Sequence, residues 1–364
     1  RLKGDPPSRA SASIPKLSEL PEDMWRGVCF AHNWQWMGRK GYGTDSSAET
    51  LDHLKALGTN WVSLTPFAFM RSLESVEIQG EHKKSVFPPG SETAERIKKV
   101  AAQAHARGLK IMLKPHIWVS RGQWRGKISP KEHGAPAWGA WWEEYDAFIL
   151  WQAKLAQDID AESFVVGVEL ASALKANPDR FLETVKKVRA VYSGKLTYSA
   201  NWDEYQSAKI WNALDMIGVQ LYPPLSAKTD PEIAELRRAL RTHLDKWSAI
   251  ARKAGRSIVL TEVGYKSAPT AVKEPFGWPE RLPKELRTSD QKIQAVAYAA
   301  LFEEIRAHDE IVRGLFIWKY FTDKNTDEEG PFGFSPRGKM AERVLRDAFG
   351  GALPNPKKKK RSAR

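Results

Sequence analysis

Eight short apolar runs, each followed by a helix-like stretch, constrain this chain more than any other feature. The runs cover residues 27–31, 60–66, 109–116, 164–169, 195–200, 216–221, 258–262 and 315–319. Most are β-branched or aromatic and nearly continuously apolar, the pattern of strands covered on both faces. Between them, apolar residues recur near a 3.6-residue spacing over 48–57, 92–107, 140–159, 179–191, 231–254, 290–307 and 338–349, with a shorter helix expected over 203–211. Gly58 and Gly108 follow the first two helices where a C′ glycine belongs, and Ser289 stands as the N-cap of the seventh. Eight strand–helix units predict an α/β fold, a (β/α)₈ TIM barrel in a single domain. An open doubly wound sheet would carry a phosphate-binding glycine loop after its first strand. Here that position reads Ala31-His32-Asn33-Trp34-Gln35-Trp36.

The expected organisation is a flexible linker over 1–21, the barrel over 22–350 and a basic disordered tail over 351–364. The first segment starts at Arg1 and is rich in proline, serine and charge, as a linker left by removal of an export signal or anchor would be. That reading places the protein outside the cytoplasm: secreted, periplasmic or in the cell envelope. Six of the net thirteen positive charges sit on Lys357, Lys358, Lys359, Lys360, Arg361 and Arg364. Such a tail suits weak contact with an anionic surface. No folded nucleic-acid motif is present, so no specific nucleic-acid partner is expected, and the chain reads as a monomer. No apolar run approaches the roughly 18 residues of a membrane-spanning helix. The one cysteine, Cys29, excludes an internal disulfide and a multi-cysteine metal site, and its apolar neighbours Val28 and Phe30 mark a buried structural thiol.

Two of the apolar runs close on a glutamate: the fourth on Glu169 and the seventh on Glu262. A carboxylate ending a buried strand is costly unless it faces a polar cleft. In a barrel that end is the face where catalytic groups collect. Two such glutamates suit an acid and a nucleophile acting on a glycosidic bond. Around them the strand ends carry His32, Asn33 and Trp34, then His116 and Trp118, Asn201 and Trp202, Tyr222, and Trp318. Flat rings beside hydrogen-bonding groups fit sugars, so these are the candidate substrate-binding residues. Trp25, Trp61, Trp141 and Trp151 lie where structural packing is expected. The segment 266–288, with Trp278 among four prolines, is expected to wall one side of the cleft. No H-E-x-x-H spacing, nucleophile elbow, P-loop or dinucleotide fingerprint occurs, so neither a metal nor a cofactor is expected.

The segments GVCFAHNW, KPHIW, VGVEL, LYPPL, LTEVGY and FIWKY, in this order over residues 25–349, resemble clan A of the glycoside hydrolases and are most similar to family 113. The resemblance implies a (β/α)₈ fold and endo-β-1,4-mannanase activity. It makes Glu169 the general acid/base, Glu262 the nucleophile, Tyr222 the hydrogen-bond partner of that nucleophile and Trp318 the floor of the −1 sugar subsite. One position departs from the clan, whose asparagine before the acid/base holds the sugar 2-hydroxyl; here it is Val168. That contact is left to Asn201, His116 or Asn33. The expected activity is therefore retaining hydrolysis of a β-linked hexose polysaccharide or oligosaccharide, foremost β-1,4-mannan. The alternatives are another β-linked glycan and a catalytically degenerate carbohydrate-binding barrel.

Overall fold

A computed structural model describes residues 14, 16–34, 38–84, 91–205, 209–325 and 329–352. The basic tail and most of the N-terminal linker fall outside them. In chain order the elements are β1 (Trp25–Ala31), α1 (Asp45–Ala56), β2 (Trp61–Leu64), β3 (Phe67–Met70), α2 (Ala94–His105), β4 (Lys110–Leu113) and β5 (His116–Val119). There follow β6 (Lys131–Glu132), β7 (Ala135–Pro136), α3 (Trp138–Asp158), β8 (Ser163–Val168), α4 (Ala171–Ala176), α5 (Pro178–Arg189) and β9 (Lys195–Asn201). The last are β10 (Met216–Gln220), α6 (Ile233–Ala254), β11 (Ser257–Val263), α7 (Gln291–Arg306), β12 (Val312–Phe321) and α8 (Met340–Phe349).

Eight of the strands close into a barrel in the order β1-β12-β11-β10-β9-β8-β4-β2, every neighbouring pair parallel. This is the expected (β/α)₈ architecture. Closure leaves no barrel edge, and the apolar runs bury both faces: outward against helices, inward against each other. The inward residues form a column of their own. At its base Trp25 and Trp61 stack with ring centroids 3.9 Å apart, and Phe316 meets both edge-on. Gly27 and Gly314 make room for this plug, since a Cβ on the first would overlap the Phe316 ring and one on the second the Trp25 ring. Above the plug lie Cys29, Met112, Val165 and Val259, and above these Tyr222 and Trp318.

Two barrel strands stop earlier than their apolar runs suggest, and prolines explain both. Pro66 and Pro115 lack the N–H that a central strand must donate. Beyond them the chain pairs again outside the barrel, where β3 and β5 form a small parallel sheet with Phe67 opposite His116 and Phe69 opposite Trp118. Irregular register also marks four ladders near their C-terminal ends: at Cys29/Phe30, at Val165/Val168, at Val219/Gln220 and at Leu260/Val263. Such bulges re-aim side chains beside a site.

The helix expected at 203–211 lies partly outside the described residues; the described chain beyond it makes a 3₁₀ turn over Trp211–Ala213. Two local expectations need correction. The N-cap of α7 is Asp290, not Ser289: its Oδ1 accepts from the Ile293 N–H at 3.0 Å, three residues on, as a cap requires. The body also begins before residue 22. Leu17 and Leu20 are buried in the core, and the Leu20 N–H donates to the Ala348 carbonyl.

Phe316 is fully buried between two indoles. Phe316→Ala is expected to cost roughly 3–5 kcal/mol, read from the urea unfolding midpoint at unchanged m-value.

Candidate active site

The eight C-terminal strand ends surround one cavity of about 1090 Å³. Glu262, the penultimate residue of β11, lies in it with both carboxylate oxygens engaged. Its Oε1 accepts from the Tyr222 hydroxyl at 2.8 Å and its Oε2 from the Lys114 ammonium at 2.8 Å. Lys114 is wholly buried at the Pro115 break, where its Nζ also donates to the Thr261 carbonyl at 3.0 Å and lies 3.7 Å from the Cys29 sulfur. Burial works against charge on this lysine, but Cys29 and the Glu262 carboxylate outweigh it and hold the lysine's pKa above its ordinary value. The Cys29 thiol is pushed up to about 12, chiefly by burial, which fits a packed structural thiol.

Glu169 follows β8 directly in a left-handed conformation, φ 50°, which is strained for a side chain of this size. Two backbone anchors hold it there. Its own N–H donates to the Ser199 carbonyl at 2.9 Å, and the next N–H, of Leu170, donates to the Tyr198 hydroxyl at 2.7 Å. That hydroxyl in turn donates to Glu204 at 2.9 Å, whose carboxyl burial pushes up to about 7. Burial is also the main reason the Glu169 carboxyl is held above the ordinary carboxylate range. The charge of Glu262 adds to the rise, while Arg125, the Trp124 indole and Lys114 oppose it. Arg125 lies 3.8 Å from the Glu169 carboxylate.

Arg125 also fixes a histidine. Its Nη1 donates to His116 Nδ1 at 3.0 Å, and an arginine cannot accept, so the imidazole proton belongs on Nε2. Burial first, then the charges of Arg125 and Lys114, depress the His116 pKa well below 6.5, so the ring is neutral. Its Nε2, itself buried, has no hydrogen-bond partner among the described residues, and the residue lines the cavity. Gln220 Nε2 is a second unpartnered donor in the lining.

Aromatic rings supply the rest of the wall. Trp318 has the Lys114 and Lys319 ammonium groups 5.8 and 5.0 Å from its ring centroid. Phe67 meets the His116 and Trp118 rings edge-on, and Trp118 meets Trp278 in the same way. Trp34, Trp124 and Phe276 line the cavity while remaining exposed, a rim of apolar faces open to solvent.

Of the residues singled out from sequence, Glu169, Glu262, His32, Trp34, His116, Trp118, Asn201, Trp202, Tyr222 and Trp318 all line this cavity. Asn33 does not: it is fully buried, and its N–H donates to the Thr322 hydroxyl at 3.1 Å. The Asn201 amide is held by Asp203 at 2.7 Å. Sequence reasoning missed Lys114, Arg125 and Gln220 as site residues. Lys114 carried the signal that drew attention to the glutamates, a charge closing an apolar strand. The other two lie at a loop or strand end with no such mark. Among the described residues no three His, Cys, Asp or Glu side chains are grouped to hold a metal ion.

With the geometry in hand, comparison with known proteins is direct. The sequence model of Glycoside Hydrolase Family 113 matches residues 32–334. The β-mannanase of Alicyclobacillus acidocaldarius, solved in complex with ManMIm, is 25% identical; the match covers 91% of this chain and 98% of that one, with a TM-score of 0.75. A second structure described as a GH113 β-1,4-mannanase complex is 23% identical over 90% of this chain and 99% of that one, also at 0.75. A family 5 mannosidase from Rhizomucor miehei shares the fold at 12% identity and a TM-score of 0.57, covering 91% of this chain and 93% of its own. Comparison with curated proteins finds no significant match.

The charge of Arg125 lowers the pKa of both Glu169 and His116, so its removal raises both. In Arg125→Gln, carbon-13 NMR of the Glu169 carboxyl is expected to show a higher titration midpoint than in the parent. The His116 ring should shift back toward its ordinary value near 6.5.

Proposed function

We propose that this chain, which belongs to glycoside hydrolase family 113, hydrolyses β-1,4-linked mannan with retention of configuration through a double displacement. It is a glycoside hydrolase; the mannan substrate, the stereochemistry and the residue roles are what is proposed. The observation that carries the reading is the unequal treatment of two glutamates in one cavity. Glu262 has a donor on each oxygen, one of them a buried ammonium, an arrangement that aims a carboxylate nucleophile. Glu169 is raised by burial and by the Glu262 charge, as a general acid requires. Environments that treat two carboxyls differently assign acid and nucleophile.

In the first displacement a Glu262 oxygen attacks the anomeric carbon while Glu169 gives its proton to the departing glycosidic oxygen. The bond to the leaving sugar breaks as the glycosyl–Glu262 ester forms. In the second, the Glu169 carboxylate takes a proton from water, the water oxygen attacks the same carbon, and Glu262 leaves as a carboxylate. Lys114 and Tyr222 are positioning residues that hold Glu262 throughout. Retention calls for carboxyls about 5–5.5 Å apart, and both glutamates line the same cavity. Trp318 supplies the flat face for the reacting sugar. Val168 cannot donate to the 2-hydroxyl, and the free Nε2–H of His116 is the substitute donor best supported, because Arg125 already holds the ring in the donating tautomer.

Relatives described as β-1,4-mannanases and the family match favour mannan among β-linked hexose polymers. The test is product analysis on mannan, glucan and xylan oligosaccharides, with the anomeric configuration followed by NMR. Mannan products that first appear as the β-anomer support the proposal. First appearance of the α-anomer overturns retention, and binding without hydrolysis overturns catalysis. Glu169→Ala should lose about 10²–10⁴-fold in turnover of unactivated substrate. Glu262→Ala should lose at least as much, with azide restoring activity and yielding an α-glycosyl azide.

The acid must be protonated to act, so kcat/KM falls as pH rises through the Glu169 pKa. Because that pKa is raised, the alkaline limb should lie above the ordinary carboxylate range. Arg125→Gln raises it further and should move the limb to higher pH, measured from the pH profile of kcat/KM.

A further inference from the structure

One carboxyl outside the cavity reaches both the acid and the sugar-facing wall. Glu204 does not line the cavity, although its neighbours Asn201, Trp202 and Asp203 do. It lies in the turn that leaves β9, and its own N–H donates to the Asn201 carbonyl at 2.9 Å. Its side chain folds back on that turn. Oε2 accepts from the Asn201 N–H at 3.2 Å, while Oε1 accepts from the Tyr198 hydroxyl at 2.9 Å. The next carbonyl, of Trp202, accepts from the Trp247 indole at 3.2 Å. Asn201 and Trp202 thus meet the cavity on a closed and anchored turn.

Tyr198 carries the connection to β8. It is fully buried, with its ring edge-on to Phe181 at 5.5 Å between centroids. Gly167 on β8 leaves it room, since a Cβ there would come within 3.2 Å of the ring. Burial first, then the Glu204 charge, hold this phenol well above its ordinary range, so the hydroxyl keeps its proton. With that proton given to Glu204, the oxygen accepts from the Leu170 N–H at 2.7 Å. The chain from Leu170 through Tyr198 to Glu204 therefore runs in one direction, each bond polarising the next. The next residue of β9, Ser199, accepts from the Glu169 N–H at 2.9 Å. Both anchors of the strained Glu169, φ 50°, come from consecutive residues of one strand, and the hydroxyl anchor depends on Glu204.

Packing alone does not call for a glutamate at this place. Burial pushes its carboxyl up to about 7; the Asn201 N–H and Tyr198 hydroxyl oppose the rise, and the Glu169 and Asp203 charges add to it. A carboxyl raised in this way takes stability from the fold as pH climbs from about 4.3, its unfolded value, toward 7. A use in placing its neighbours accounts for its presence, as strain and cost at a site so often do.

We infer that Glu204 is a positioning residue for proton transfer: one carboxyl fixes the hydroxyl that holds the Glu169 turn and the N–H from which the Asn201–Trp202 turn starts, so that the proton donor and this wall of the cavity are set relative to each other. The inference rests on Glu169 acting as the general acid and adds what keeps its proton directed at the leaving oxygen. An acid displaced by about 1 Å still sits in a folded protein, yet loses rate.

The test compares kcat/KM on mannopentaose, whose leaving sugar needs a proton, with kcat/KM on 2,4-dinitrophenyl β-mannobioside, whose leaving phenolate does not. Glu204→Ala is expected to lose about 30-fold on the first and about threefold on the second. Tyr198→Phe, which keeps the packed ring and removes the hydroxyl, should show the same split. The double variant should lose no more than the worse single one, because both changes cut one chain. Glu204→Gln, whose one amide oxygen can serve only one of the two donors, should fall between the parent and Glu204→Ala. Equal losses on the two substrates, or losses that multiply in the double variant, overturn the inference. Amide hydrogen exchange reads the same clamp without turnover: Leu170 should exchange about tenfold faster in Glu204→Ala while the β4 amides keep their rates. Unchanged exchange at Leu170 overturns the inference. If the corresponding glucosides are cut and the mannosides are not, the mannan reading fails and the same ratio is read on glucosides. If neither pair is cut, the hydrolytic reading of the two glutamates fails; faster Leu170 exchange then upholds the Glu204 clamp by itself, and unchanged exchange overturns it.

Discussion

The site depends on one buried ion pair. Lys114 has no exposed surface, and taking an ammonium out of water costs several kcal/mol unless geometry repays it. Repayment comes from the Glu262 carboxylate and the Thr261 carbonyl, both within 3.0 Å of Nζ. The same pair forces a polar top onto a barrel whose lower column is thiol, thioether, valine and aromatic rings. It also ties β4 to β11 across the interior, so the position of the Glu262 carboxylate is referred to the far side of the ring. A change at Lys114 therefore acts on fold and chemistry at once, because either partner left alone would be an uncompensated buried charge.

Glu169 is held by a different device. Where Glu262 is pinned through its carboxylate, Glu169 is pinned through its backbone, by two N–H groups and an unfavourable φ. Its carboxyl is thus left with few hydrogen bonds of its own and can exchange a proton during a reaction cycle. Strain at this residue is offset by the Tyr198–Glu204 connection, which lies outside the chemistry but determines where the chain turns after β8.

Periodicity and strand-end charge made much of this legible. Eight apolar runs corresponded to the eight barrel strands, because strands buried on both faces leave an unbroken apolar signature. Glu169 and Glu262 stood out because a charge at the end of such a run has few structural uses. What stayed hidden was set by contacts distant in sequence. Lys114 matters through Glu262, 148 residues later, and Arg125 through a histidine and a glutamate on separate elements. Asn33, adjacent to two cavity residues, is buried and not part of the lining; its backbone N–H donates to the Thr322 hydroxyl.

The Trp25–Trp61–Phe316 plug at the base of the barrel has a consequence for the order of events above it. With that end stopped by three packed rings, the hydrolytic water has no entry from below. It must arrive through the mouth, along the route the departing sugar has just vacated. The barrel thus works as a vessel with one door, in which leaving group and water share a passage and therefore take turns. In the double displacement proposed above, deglycosylation would then be contingent on clearance, and a second sugar that occupied the vacated place before water did would be joined to the held glycosyl group instead.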